Sequence, residues 1–184
     1  VKGIKHLDKR LKYFIFVASI FTIANFGLYM FLLLRARDIT GNIMIPLVLY
    51  VLFNLVYAGF AVPFGKLSDK IGRKKVLVMG YVLFLLVSIS FVYINMILYL
   101  AIAFILYGLV YAITQSNQRA LVSDLSGKMK STAMGFYYSM TGLVNIPAGI
   151  IAGLLWDVSY KTMFWYISVV AVLSVVLILF IREK

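Results

Sequence analysis

Cysteine is absent from the 184 residues, so disulfides, thiolate nucleophiles and cysteine metal sites are excluded. Histidine occurs once, at His6, which removes paired-histidine metal sites and HExxH hydrolysis. Acids are nearly as scarce: Asp8, Asp38, Asp69, Asp124, Asp157 and Glu183 are the full set. None of them stands in the middle of an apolar run, and neither does any Lys or Arg. No convergent acid–base set can form, so the chain is not expected to be an enzyme, and no metal site or cofactor is expected. Charged residues reach only 13% of the sequence against 64% apolar ones, about half the charged share of an ordinary soluble domain. A chain this short has no interior large enough to hide so much apolar surface from water. Its solvent must be lipid.

Six apolar runs, 13–34, 43–64, 76–94, 96–115, 132–155 and 162–181, are long enough to cross a bilayer. At ~1.5 Å per helical residue, ~20 residues cover the ~30 Å hydrocarbon layer. Barrel strands alternate apolar and polar residues, whereas a run such as VLVMGYVLFLLV does not alternate at all. The first run reads as a retained span and not a cleaved signal: it is too long for a signal core, and Arg35 and Arg37 follow it with no small-x-small site. The expected domain is therefore a six-helix membrane unit over 13–181, between a basic segment 1–12 and a short tail 182–184.

The net charge is +12. Its distribution points to membrane topology and away from nucleic acid. With the N-terminus inside, the inner segments hold Lys2, Lys5, Lys9, Arg10 and Lys12; Lys66, Lys70, Arg73, Lys74 and Lys75; Arg119, Lys128 and Lys130; Arg182 and Lys184. Only Arg35, Arg37 and Lys161 fall outside. Cytoplasmic loops carry the excess of Lys and Arg, so both termini are expected in the cytoplasm. The inner bases are placed to meet anionic lipid head groups.

The densest charge lies in GKLSDKIGRKK, residues 65–75, read as the loop between spans two and three. Gly65 at a helix end allows close backbone approach, and Gly72 can take a left-handed turn conformation. Asp69 is a lone anion among cations and can accept from Arg73 or face a helix N-terminus. A phosphate loop is excluded: the gap from Gly59 to Gly65 is one residue too long, and Leu67 stands where a magnesium-binding hydroxyl is needed.

This stretch resembles the signature loop of the major facilitator superfamily: Gly, any residue, Leu, small, Asp, base, any residue, Gly, Arg, base. Lys70 stands where Arg is more usual. A second stretch, RALVSDLSGKMKSTAMGFYYSMTGLVNIPAGIIAGLLWD (119–157), is similar to the segment joining the tenth and eleventh helices of efflux-type members. It lacks their usual Pro in the turn, and Lys130-Ser131 replaces Arg-Gly. The resemblance covers the chain from Tyr13 to Ile181. It implies an all-α polytopic fold, six transmembrane helices as two three-helix inverted repeats, which is one half of a facilitator. It implies a latch at Gly65, Asp69, Gly72, Arg73 and Lys74 that closes the cytoplasmic ends of the two halves. It makes Arg119 and Asp124 a second cytoplasmic gate. It also places the first, second, fourth and fifth spans toward a central cavity, and the third and sixth toward lipid.

The polar residues fall in rows that suit this. Ser19, Thr22 and Asn25, with Tyr29 beyond; Tyr50, Asn54 and Tyr57; Tyr107, Tyr111, Thr114 and Gln115; and Tyr138, Thr141 and Asn145 each lie along one helix face. Unsatisfied amides in hydrocarbon are costly, so these faces look at protein or at a wet cavity. Each residue is either glue between helices or a cavity contact, and the four rows together favour a cavity. Asn25, Asn54, Tyr57, Tyr111, Gln115, Tyr138 and Asn145 are the expected substrate contacts. Tyr57, Tyr107, Tyr111 and Tyr138 suit a flat, apolar or cationic compound, while Tyr13, Tyr93 and Tyr160 read as interfacial anchors. Gly142, Gly149 and Gly153, with Pro147, mark the fifth span for close helix packing and a bend.

The expected function is alternating-access transport of a small molecule, with efflux as the expected direction, in a prokaryotic plasma membrane. The expected partners are the substrate, membrane lipid and a second six-helix half, which is another part of the same protein, a separate chain or a second copy. The rival is a non-transporting six-helix scaffold or an orphaned transporter fragment; a start at Val instead of Met points toward a fragment.

Overall fold

The computed structural model describes residues 4, 6–26 and 28–181. Lys2, Lys5, the tail 182–184 and the Tyr29 side chain, all part of the expectations above, lie outside the described residues. The helices are α1 (Lys9–Asn25), α2 (Leu28–Thr40), α3 (Met44–Ile71), α4 (Arg73–Tyr93), α5 (Ile97–Leu125), α6 (Lys130–Val158) and α7 (Tyr160–Leu179). Together α1 and α2 make the first span, and α3 to α7 make the second to the sixth. Only helices let a lipid-immersed segment satisfy its backbone within itself, and the fold is all-α as expected.

Packing reveals the internal repeat. The second span lies along the fourth as the fifth lies along the first; the third lies along the fourth as the sixth lies along the first; the third and sixth pack on each other. Exchanging spans one to three with four to six reproduces the pattern. Spans one and four run in opposite directions, so the repeat is inverted.

Three local outcomes differ from the apolar runs. First, the helices outrun them. The stretch 65–75, expected as a loop, is helical on either side of Gly72, which alone joins α3 to α4 with φ 101°. Polar residues such as Lys66 and Lys70 are good helix formers, so hydropathy marks the membrane and not the helix end. Second, the first span is interrupted. Phe26 is extended, its N–H bonds to Thr22 O at 2.7 Å, and α2 begins at Leu28. Third, Arg35, expected outside in a loop, is buried at the end opposite the termini. Its guanidinium donates to Asn95 Oδ1 at 2.6 Å and Ile94 O at 3.2 Å and lies 3.7 Å from the centre of the Tyr160 ring. Tyr160, expected as an interfacial anchor, is thus the seat of a buried cation.

The core is aromatic. Phe14, Tyr81, Phe84, Phe91, Phe104, Tyr107 and Phe164 are fully buried, and Phe21 stacks on Tyr81 with ring centres 3.9 Å apart. In lipid the helices gain no hydrophobic drive to associate, so close packing and polar bonds must hold them. Gly80 and Gly108 supply the close packing. A Cβ at Gly108 would lie 2.8 Å from Phe53 O, and one at Gly80 would lie 2.6 Å from Ile113 Cγ2. The sequence singled out the fifth span instead, where the structure leaves the glycines largely uncovered by the chain itself. A Cβ at Gly142 or Gly153 would meet nothing within 4 Å, and at Gly149 it would meet the Phe26 ring at 3.1 Å.

Candidate functional site

Two polar assemblies stand out, one at the end carrying the termini and one inside the bundle. The first is built on the one-residue turn at Gly72. Because α4 starts directly after it, Arg73 is brought back beside the last turn of α3. Its guanidinium makes three contacts: Nη2 to Asp69 Oδ1 at 2.7 Å, Nε to Asp124 Oδ2 at 3.0 Å, and Nη1 to Ser68 Oγ at 2.7 Å. Ser68, almost fully buried, donates in turn to Asn117 Oδ1 at 2.5 Å, and Asn117 Nδ2 donates to Ile113 O at 2.7 Å. Lys74 Nζ reaches Leu179 O at 2.8 Å, tying α4 to the end of α7. One arginine therefore clips together the ends of the second, third and fourth spans.

The sequence picked out Asp69 and Arg73 by their order, but not Asp124, Ser68 or Asn117 as their partners. Arg119 and Asp124, expected as one gate, are held apart. Arg119 Nε donates to Gln115 O of its own helix at 3.1 Å, while Asp124 faces Arg73. Five residues along a helix is about 140° of rotation, so the two cannot share a face. Gly65 lies within α3, and a Cβ there would meet nothing within 4 Å.

The second assembly is a hollow of about 200 Å³ between α1, α5 and α6. Asn25, Tyr111, Gln115, Tyr138 and Asn145, all expected as cavity contacts, line it together with Phe21, Thr22, Phe26, Gln118, Tyr137 and Thr141. Asn54 and Tyr57 line a separate hollow of about 210 Å³ with Tyr50, Phe53 and Tyr111. Tyr111 is thus the wall between the two. The Asn54 amide is turned back on Tyr50 O at 2.8 Å.

Hydrogen bonds sort glue from free groups. Tyr107, grouped by sequence with the pocket aromatics, is fully buried and donates to Asn25 Oδ1 at 2.8 Å, joining the first and fourth spans. Gln118, not among the residues picked out by sequence, accepts from Tyr137 OH and donates to Tyr81 OH, both at 2.9 Å. This bridges the third, fourth and fifth spans beneath the hollow. Its signal was available: Gln118 is one turn beyond Gln115 on the same helix. The hydroxyls of Ser19, Thr22, Thr114 and Thr141 bond to carbonyls of their own helices, a use for hydroxyls that a row of polar positions does not reveal. By contrast, Asn145 Oδ1 is buried in the lining with no hydrogen-bond partner among the described residues. A buried acceptor left unpaired costs about 1–3 kcal/mol, which sets Asn145 apart from the other lining groups.

The lining of this hollow contains amides, hydroxyls and aromatic rings and no Asp, Glu, Lys, Arg or His. Such a surface binds by neutral hydrogen bonds and by ring faces. A model of the Major Facilitator Superfamily matches residues 14–184, nearly the whole chain.

The chain belongs to that superfamily. Over 186 residues it is 48% identical to an uncharacterized transporter of this type from Methanocaldococcus jannaschii, covering 97% of this chain and 46% of that protein. An uncharacterized transporter from Buchnera aphidicola subsp. Schizaphis graminum is 29% identical over 127 residues, 66% of this chain and 31% of that protein. The chain thus spans about half the length of the first relative and about a third of the second. As a member of that family it is an integral membrane protein, and both relatives carry the name of transporter. Its six spans with their inverted repeat make one facilitator half.

Proposed function

We propose that the chain is one half of a twelve-helix carrier that exports a small amphipathic molecule by alternating access. The carrier is secondary-active and sits in a prokaryotic plasma membrane with both termini cytoplasmic. The observation that carries this reading is the uncharged polar hollow, with the unpaired Asn145 acceptor inside a bundle otherwise soluble only in lipid. Asn25, Gln115 and Asn145 would bond the molecule, and Tyr111 and Tyr138 would lie against its flat faces. Asn54 and Tyr57 extend the site into the neighbouring hollow. The lining has no cation to neutralise an anion, which favours neutral or cationic cargo. No acid stands mid-membrane, so a carboxylate relay for proton coupling would come from the other half.

The open face supports the need for that half. Only 17% of the most apolar stretch of the second span and 11% of that of the fifth are buried, against 50% for the third and fourth. These two spans would seat the second half, with Gly142, Gly149 and Gly153 at the contact and Pro147 at the bend. The Arg73 clamp, with Asp69, Gly72 and Lys74, would act as the latch that meets the partner's fifth span. A disulfide test with Asp69→Cys in this half and a cysteine at the cytoplasmic start of the second half's fifth span, which is Ser131→Cys if that half is a second copy, reads this directly. Cross-linking between two six-helix units is expected, and its absence in membranes that retain the protein overturns the assembly. Retention of ethidium in cells producing the complete carrier reads the export.

A further inference from the structure

The outer flank of the bundle carries another concavity, separate from the two assemblies. It holds about 480 Å³ between α3, α4 and α5, and Phe64, Val78, Met79, Val82, Leu86 and Ile113 are among its walls. All of its lining residues are apolar. Met79, Val82 and Leu86 are strongly exposed and follow one stripe of α4 at steps of three and four. Lys75 continues that stripe one turn toward the end carrying the termini. It is exposed and has no ion-pair partner among the described residues. Its neighbours are committed elsewhere: Arg73 to Asp69 and Asp124, Lys74 to Leu179 O. No acid stands in the first turn of α4 to neutralise these bases.

The dimensions name the occupant. From Lys75 to Leu86 the stripe runs about 16 Å at ~1.5 Å per residue, close to half of the ~30 Å hydrocarbon thickness. A groove one leaflet deep, apolar along its length and capped by a free ammonium at the head-group level, matches a phospholipid in both shape and charge. We propose that this groove retains one anionic phospholipid, its hydrocarbon chain along Met79, Val82 and Leu86 and its phosphate against Lys75. The three helices that wall the groove slow exchange with bulk lipid, and Lys75 selects the head group. The bound lipid fills a flank that the chain's own side chains leave hollow.

The test uses the full chain in bilayers, with Trp156→Phe and Trp165→Phe so that a Val82→Trp reporter is read alone. A lysine at the membrane surface favours an anionic over a neutral head group by roughly fivefold. Phosphatidylglycerol brominated in its chains should therefore quench the reporter at roughly one-fifth the mole fraction needed by brominated phosphatidylcholine. Lys75→Gln should abolish the difference. Equal quenching by the two lipids, or a preference that survives Lys75→Gln, overturns the proposal. A Leu86→Trp reporter deeper in the groove repeats the reading if the first substitution disturbs folding. Neither result depends on whether the chain transports anything.

Discussion

The fourth and fifth spans both carry glycine and use it in opposite ways. On the fourth, Gly108 lets the backbone of Phe53 come so near that even a methyl group would collide with it, and the fourth span's own Ile113 and Thr114 press into the gap left by Gly80 of the third. On the fifth, Gly135, Gly142 and Gly153 face open space. Half of the fourth span's most apolar stretch is buried, but only 11% of the fifth's. Glycine in a membrane helix thus marks where a neighbour comes close, and the identity of that neighbour is a separate question. For the fourth span it is inside the chain. For the fifth, on the reading proposed above, it is the other half.

The sharpest way to break this contrast is Gly108→Val. The added isopropyl group must displace the α3 backbone, and overpacking of this kind costs about 1–3 kcal/mol or more. Unfolding in mixed detergent should show that loss, and unchanged stability would mean that the two helices do not approach so closely. Tyr107→Phe comes next. It deprives Asn25 Oδ1 of its donor where the first and fourth spans meet, at a cost of about 1 kcal/mol in the same measurement. The smallest effect on the chain's own stability belongs to Gly142→Ala with Gly153→Ala. Alanine is the better helix former by ~0.8–1.0 kcal/mol per residue, so stability should hold or rise slightly. The same pair should weaken cross-linking to a second six-helix unit. If it instead destabilises the isolated chain, the glycines have partners within it and the contrast fails.

Much of the architecture was legible beforehand because lipid makes a blunt demand: a stretch of about 20 residues without charge has one way to satisfy its backbone. Hydropathy could not locate the helix ends, since Ser68, Asp69 and Lys70 continue α3 well past the apolar run. The pairing of Asp69 with Arg73 could be read because the two lie four residues apart. Asp124 and Asn117 could not be assigned to the same cluster, because only the packing of α5 against α3 and α4 brings them there. Polar rows told which faces are polar without telling how each group is satisfied. Asn25 went to Tyr107, Thr141 to its own helix, and Asn145 to no partner among the described residues. Arg35 was the opposite surprise, a loop residue by sequence that the fold buries against a ring and a carbonyl.

The interruption at Phe26 gives the bundle a mechanical joint. An unbroken helix transmits a tilt applied at one membrane surface to the other, because its hydrogen-bond ladder resists bending throughout. Here α1 ends at Asn25 and Phe26 is extended. The piece toward the termini is bedded on α6 and α7, and the outer piece lies mainly against α3. The first span therefore belongs to two blocks at once. α2 packs with the second span, while α1 packs with the fifth and sixth. The joint lies where Asn25 and Phe26 border the hollow, so on the proposed function the wall that would touch the cargo is also the seam between the two blocks.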